Sequence, residues 1–487
     1  MNKPIRAVSV FCLLLFLALM VNSTVLQFAR AKSLDDDPRN RRVIQAAFGR
    51  ERGAILAGKV DVAKSVPSND VYKFQRTYPK ALEYAPVTGF FSYYSQTGIE
   101  QSQNEILSGE DSRLFVNRLI DLVSNADPKG GNVELTINPK VQDAAWKGLR
   151  ALGPGVQGAA VAIEPSTGRV LAMVSTPGFD PNKLANHDLD ASTDAYNKYD
   201  KDPAQPMLNR AIQTTLPPGS TFKLVTASAA LEDLGMTPDS LVPGGTSLKI
   251  PGTTHVLHND SGESCGGGKI TMTQALTVSC NVSFGWLGTQ LTDAQLRSQA
   301  EKFGFDKTYL SDLTNQAPAR FPSGELGAPL RALSAIGQYD VAATPLQMAM
   351  VAATIANHGT EMKPYLVDRV TSSSLDVLSQ TDPVVMGNPI SPRTASQLTQ
   401  MMVSVVDAGT GTSARIPGVE VAGKTGTATS TASRPPYAWF VSFAPAQNPK
   451  IAVAVLVQAS GTNPSEVYGG TLSAPIAKSM MEAVINP

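Results

Sequence analysis

Pro217-Pro218-Gly219-Ser220-Thr221-Phe222-Lys223 runs straight into LVTASAALEDLG (Leu224 to Gly235), and the rest of the chain is read outward from this stretch. The Ala- and Leu-rich run is helical by propensity, so Ser220 falls at the helix start and Lys223 one turn further on. At that spacing both side chains share a face. A serine hydroxyl needs a base to become a nucleophile, and an amine partly desolvated in a cleft can supply one. The helix N-terminus favours developing negative charge. Taken alone, Ser-x-x-Lys arises by chance in many chains and reads as a capped helix with an exposed lysine.

Ser279-Cys280-Asn281 follows in ALTVSCNVSFGWLG. Its plain reading is a polar kink or helix cap, and its chemical reading is a hydroxyl and a carboxamide that relay a proton and hold a substrate amide. Lys424-Thr425-Gly426-Thr427 ends the apolar run VEVAG, where a glycine lets a substrate backbone approach a strand closely. A solvated strand lysine is the alternative. The three elements occur in this order on one chain, and together they form a far more specific signal than any one of them.

Further out, GAAVAIEPSTGRVLAMVS (Gly158 to Ser175) is two alternating apolar runs joined by turn residues, the pattern of a β-hairpin. Helical patterns follow, then strands return in VEVAGKTGTA, AWFVSFAPA and IAVAVLVQA before a last helix-like run, SAPIAKSMMEAVI. Strands from both ends around a helical middle predict one large α/β (α+β) domain over residues 151–487. Residues 33–150, with YAPVTGFFSYY (Tyr84 to Tyr94) and the turn cluster DPKGGN (Asp127 to Asn132), read as a smaller module. Residues 7–29 carry no charge and suffice to cross a bilayer, with residues 1–6 as a short tail. Ala29-Arg30-Ala31 also fits a signal-peptide cleavage site; the run exceeds a usual signal core, and the reading taken is an uncleaved transmembrane anchor. Cys12 fills the helix. Lys3 and Arg6 precede the span, whereas Arg30, Lys32, Arg39, Arg41 and Arg42 follow it, so the positive-inside count opposes an N-terminus-inside topology.

The 487 residues include 41 basic and 41 acidic side chains, giving no net charge to attract nucleic acid, and only 3 Cys and 4 His. Gly409 to Ala414 has the letters of a dinucleotide loop, but Pro417-Gly418 forbids the helix that must follow. The glycines after Cys265 lack the first Gly and last Ser or Thr of a phosphate loop. His255-x-x-His258 has no third ligand nearby and reads as a polar loop. No metal or cofactor is expected.

The triplet resembles the serine-active motifs of penicillin-binding proteins and serine β-lactamases. FDPN (Phe179 to Asn182), NRA (Asn209 to Ala211), Gly337-Gln338, TPLQMA (Thr344 to Ala349), ANHG (Ala356 to Gly359) and GTGTSA (Gly409 to Ala414) are similar to the transpeptidase domain of class B penicillin-binding proteins. RGAI (Arg52 to Ile55) and TINPKVQ (Thr136 to Gln142) resemble segments flanking that class's non-catalytic pedestal, although Leu56-Ala57 replaces the usual Asp-Arg. YAPVTGF (Tyr84 to Phe90) looks like the penicillin-binding protein A group. The resemblance implies a central antiparallel sheet with a helical subdomain, and a D,D-transpeptidase that cross-links peptidoglycan stem peptides ending in D-Ala-D-Ala and is inhibited covalently by β-lactams. By similarity Ser220 is the nucleophile, Lys223 its base and Ser279 the relay to the leaving group. Asn281 binds the substrate amide and Lys424 the substrate carboxylate. Thr425, Gly426 and Thr427 line the strand side, with the Ser220 and Thr427 N–H groups as oxyanion hole. The catalytic domain is expected outside the membrane, beside a membrane glycan polymerase of the shape, elongation and division family. A β-lactamase needs neither span nor pedestal, a second catalytic domain does not fit in the residues before the hairpin, and a D,D-carboxypeptidase differs only in using water. A β-lactam sensor or quiet division scaffold is the alternative of another class. Cys265 and Cys280, the cysteines outside the span, lie 15 residues apart in an oxidising compartment on this topology. A disulfide between them is expected, against two free thiols.

Overall fold

The computed structural model describes residues 2–30, 33–34, 48–115, 129–250, 252–260, 262–428, 436–459 and 467–486. Lys32, Arg39, Arg41 and Arg42 of the topology count, and Asp127 and Pro128 of the turn cluster, lie outside them.

Helix α1 (Asn2–Thr24) continues as a π-helical turn over Val25–Ala29, is unburied throughout, and is long and apolar enough to cross a membrane. The elements that build the body of the protein follow in chain order. Strands β1 (Ile55–Ala57), β2 (Val60–Pro67) and β3 (Phe74–Thr77), helix α2 (Ala81–Thr88), strand β4 (Asn132–Leu135) and helix α3 (Pro139–Ala151) come first. The hairpin β5 (Gln157–Ile163) and β6 (Val170–Thr176) precedes α4 (Lys223–Asp233), α5 (Asn281–Gln290) and α6 (Pro345–Ala356). Then come β7 (Val367–Thr371), β8 (Val377–Gln380), α7 (Pro392–Ala408), β9 (Ala422–Ala428), β10 (Tyr437–Ala444), β11 (Ile451–Ala459) and α8 (Ala474–Ile485). Several helices start on the same local chemistry. Asn138, Thr344 and Ser391 each accept a backbone N–H as N-cap, and each is followed by proline, whose missing N–H costs nothing at the first helical position.

The five-stranded sheet has the order β9-β10-β11-β5-β6, antiparallel at every join. The predicted hairpin is its far edge, and the late strands complete it. Every residue of β10 is buried because the sheet is covered on both faces. Side chains alternate between faces along a strand. Trp439, Val441 and Phe443 therefore enter one core together with α4 and α6, whereas Ala438, Phe440 and Ala444 enter a second with α3 and α8.

The six-stranded sheet has the order β8-β7-β4-β1-β2-β3, with one parallel join, between β1 and β4. Its outer two strands come from beyond residue 360, so chain far from the N-terminus completes the N-terminal layer. The junction between the layers is tied by side chains whose partners are backbone groups. Asn182 of FDPN accepts from Tyr78 N (2.8 Å) and donates to Tyr78 O (3.0 Å). Asn209 of NRA donates to Pro86 O at 2.9 Å, and Gln142 of TINPKVQ donates to Glu83 O at 2.8 Å and Met173 O at 3.0 Å. These motif residues clamp the modules together and stand apart from the chemistry.

Arg52 of RGAI anchors the N-terminal layer. Its Nε donates to Glu100 Oε2 at 2.8 Å, Arg76 Nε donates to Glu100 Oε1 at 2.6 Å, and Tyr78 OH donates to the same oxygen at 3.1 Å. Burial alone would raise the Glu100 pKa, but Arg76 and Arg52 outweigh it and hold the carboxyl below its ordinary range. Glu100→Gln would leave two buried guanidinium groups without a counter-charge. It is expected to lower unfolding stability by about 3–5 kcal/mol, measured by urea denaturation; a loss within about 0.5 kcal/mol would show that the cluster is not a structural keystone.

Candidate active site

Ser220 lies on a tight 3-10 turn, Gly219–Phe222, and the α-helix proper begins at Lys223. In that turn residues three apart eclipse one another, so the predicted shared face survives a different local geometry. The turn rests directly on β9. Gly219 has φ +52°, and a Cβ there would stand 2.6 Å from Thr427 O. A Cβ on Gly426 would meet Pro218 O at 2.8 Å. Glycine at both positions is what lets turn and strand touch, and Trp439 Nε1 donates to Pro217 O at 3.0 Å to hold them. Lys424-Thr425-Gly426 lies inside β9 rather than at the end of it, because the strand pairs with β10 from Ala422 to Ala428.

Ser279 precedes α5 and takes φ +59°, a left-handed conformation strained for a non-glycine residue. That bend turns the Ser279 hydroxyl toward both lysines. Lys223 Nζ donates to Ser279 O at 2.7 Å, to Asn281 Oδ1 at 2.7 Å and to Ser279 Oγ at 3.3 Å. Lys424 Nζ donates to Ser279 Oγ at 2.8 Å and to Thr425 O at 2.9 Å. Both lysines are fully buried. Burial lowers the Lys223 pKa to about 7, with Asp260 pulling in the opposite direction. Burial, and then the neighbouring Lys223 charge, take Lys424 well below its ordinary value, again opposed by Asp260.

Ser220, Ser279, Thr425 and Thr427 line a single cleft of about 860 Å³, with Thr410, Asp260 and Tyr468 also on its walls. Among the described residues no cluster of His, Cys, Asp or Glu could hold a metal. His255 and His258 belong to a small exposed region, where Val256–His258 pairs with Ser247–Lys249. Cys265 and Cys280 are joined by a disulfide with Cα atoms 5.8 Å apart. This bond ties the loop before it to the Ser279 turn.

Two further side chains touch these groups. Thr410 Oγ1 lies 2.6 Å from Thr425 Oγ1; it belongs to GTGTSA, a segment whose resemblance marks the position and not the contact. Asp260 Oδ1 accepts from Asn281 Nδ2 at 2.8 Å. It lies in an irregular loop with no spacing or motif to mark it.

Residues 158–482 match the penicillin binding protein transpeptidase domain, and residues 52–133 the penicillin binding protein A dimerisation domain. The chain is 43% identical over 492 aligned positions to the peptidoglycan D,D-transpeptidase PbpA of Mycolicibacterium smegmatis, covering 100% of this chain and 99% of that one. It is 41% identical over 496 positions to PbpA of Mycobacterium tuberculosis, with the same coverage. The ceftriaxone acyl-enzyme of penicillin-binding protein A from M. tuberculosis superposes with TM-score 0.85 at 41% identity, covering 90% of this chain and 99% of that one. Its penicillin G acyl-enzyme gives 0.84 at the same identity, again over 90% of this chain and 100% of that one. With matched domains, full-length relatives and a common fold, the chain belongs to the class B penicillin-binding proteins of the transpeptidase family.

Proposed function

We propose that the protein is a peptidoglycan D,D-transpeptidase, anchored by α1, that cross-links stem peptides through a Ser220 acyl-enzyme and is acylated by β-lactams at the same serine. The observation that carries this reading is the single hydroxyl, Ser279 Oγ, held between the amines of two buried lysines on the wall of the cleft that Ser220 also lines. Residues 33–150 act as the non-catalytic pedestal and residues 151–487 as the transpeptidase domain, with β7 and β8 completing the pedestal sheet.

Burial has already brought Lys223 to a pKa of about 7, so a neutral amine is available near neutral pH without a metal or cofactor. Lys223 takes the Ser220 Oγ proton as that oxygen bonds to the carbonyl carbon of the penultimate D-Ala. The oxyanion that forms is held by the Ser220 and Thr427 N–H groups, at a gain of about 3–4 kcal/mol per donor. The proton passes through Ser279 Oγ to the nitrogen of the terminal D-Ala, the C–N bond breaks, and free D-Ala leaves. A neighbouring stem's amine then attacks the ester, returns a proton along the same path and regenerates Ser220.

Lys424 binds the carboxylate shared by D-Ala-D-Ala and penicillin. Its pKa is low because it is buried beside another cation, and an anionic ligand favours its protonation. A charged Lys424 in turn keeps Lys223 neutral, so substrate binding prepares the base. Asn281 meets the substrate amide, and Thr425, Gly426 and Thr427 form the strand side. The Cys265–Cys280 bond braces the turn that carries Ser279.

Peptidoglycan lies beyond the membrane, so residues 1–6 are placed inside and residues from about 33 outside, overriding the local charge count. Work beside a membrane glycan polymerase of the shape, elongation and division family follows from the class resemblance.

Ser220→Ala is expected to abolish covalent labelling by a fluorescent penicillin while leaving thermal unfolding unchanged, and mass spectrometry of wild-type protein should find the label on Ser220. Labelling that persists in the variant would overturn the assignment. Protease added to intact, wall-stripped cells is expected to digest the large domain; full protection would contradict both the orientation and the substrate.

A further inference from the structure

Asp260 has no place in the mechanism above, yet its neighbours are all parts of it. Its Oδ1 accepts from Asn281 Nδ2 at 2.8 Å, while Asn281 Oδ1 accepts from Lys223 Nζ at 2.7 Å. A carboxamide has one acceptor end and one donor end. A carboxylate can only accept, so Asp260, the closer of two acceptors beside the His258 carbonyl at 3.4 Å, decides which end of Asn281 faces the lysine. Replacing it by a group that cannot accept leaves only the longer His258 contact to hold the carboxamide, and an NH₂ turned toward Lys223 would repel the protonated amine or occupy the lone pair of the neutral one.

The loop that carries Asp260 is latched to the same turn on both sides. Asn259 Oδ1 accepts from Val282 N at 3.1 Å, capping the start of α5 from outside the helix, and Asn259 Nδ2 donates to Gly245 O at 3.0 Å and Glu263 O at 2.7 Å. Five residues beyond Asp260, Cys265 is bonded to Cys280, between Ser279 and Asn281. Asp260 is therefore held at the Asn281 carboxamide by the residue before it and the disulfide after it. It also lines the cleft.

The charges facing it are Lys223 on α4 and Lys424 on β9, with Glu263 on the same cleft wall. Its field opposes the loss of a proton from both lysines. Because Asp260 is exposed, water and salt screen that field, and its hydrogen bond to Asn281 is the stronger lever.

We propose that Asp260 is a positioning residue for acylation: it fixes the orientation of the Asn281 carboxamide, and through it the Lys223 amine, and serves as counter-charge to the two-lysine site. This rests on the Ser220 acyl-enzyme reading.

The test is the second-order rate of acylation by a fluorescent penicillin, measured from pH 5 to 9 on the full-length protein in detergent. Asp260→Ala, Asp260→Asn and Ser220→Ala are compared with wild type, after peptide mapping and thermal unfolding confirm that each variant keeps the Cys265–Cys280 bond and the fold. Asp260→Ala, which loses hydrogen bond and charge, is expected to acylate about tenfold slower or worse, the loss expected for a hydrogen bond to a charged group. Asp260→Asn can still accept from Asn281 and is expected to recover most of that rate. Its charge no longer favours the protonated lysine, so neutral Lys223 persists to lower pH and the acid limb shifts downward. Wild-type rates and an unshifted limb in both variants would overturn the proposal, as would equal losses in both with no shift, which marks a purely structural role. Labelling of Ser220→Ala would instead overturn the reading beneath it.

Discussion

Two buried amines that donate to one hydroxyl oxygen set the terms for everything else in the cleft. Lys223 and Lys424 lie on different elements, one on α4 and one on β9, and converge on Ser279 Oγ. Two ammonium ions held so close in a low dielectric repel strongly, and burial already penalises each charge. Deprotonation of one member relieves both costs. A site built this way creates a base at neutral pH from a residue that is a cation almost everywhere else, and it makes the pair respond to a ligand's negative charge.

The fold supplies the convergence through close approach. β9 is the edge of a sheet whose other strands are buried on both faces, so its position is fixed by two cores at once. The Ser220 turn can lie against it because Gly219 and Gly426 carry no Cβ. Ser279 reaches both lysines only by adopting a left-handed backbone, and that strain is held in place by the disulfide at Cys280 and by the external cap that Asn259 places on α5. Rigidity is concentrated around the second motif, the point where a loose hydroxyl would break the path between the amines.

Much of this was legible in the sequence because chemistry restricts residue types at specific places. Ser220, Lys223, Ser279, Asn281 and Lys424 were marked by their order; Ser220 and Ser279 line one cleft, and Lys223, Asn281 and Lys424 meet around Ser279. The β5–β6 hairpin was visible in its alternation of apolar side chains around a turn. The rest depended on pairings that no local pattern encodes. Val367–Thr371 adds to a sheet next to Asn132–Leu135, more than 200 residues earlier, and neither segment carries a mark of the other. Arg52, Arg76 and Glu100 read singly as surface charges, and only the fold buries them together. Asn182, Asn209 and Gln142 were noticed as parts of familiar segments, but their work as backbone clamps appears only with the junction in view. Asp260 left no trace because an aspartate in a polar loop is ordinary until its neighbours are known.

The two amines form a coupled pair around Ser279 Oγ, with Lys223 titrating near neutrality. The most direct measurement is a pH titration of the lysine side-chain NMR signals in protein labelled at lysine Cε, with Lys223 assigned through Lys223→Arg. One signal is expected to titrate near pH 7 and to be lost in that variant, together with a Lys424 signal that stays in its neutral form well below the ordinary lysine range. If every lysine instead titrates near the ordinary value of about 10.4, the pair is not a base prepared by burial.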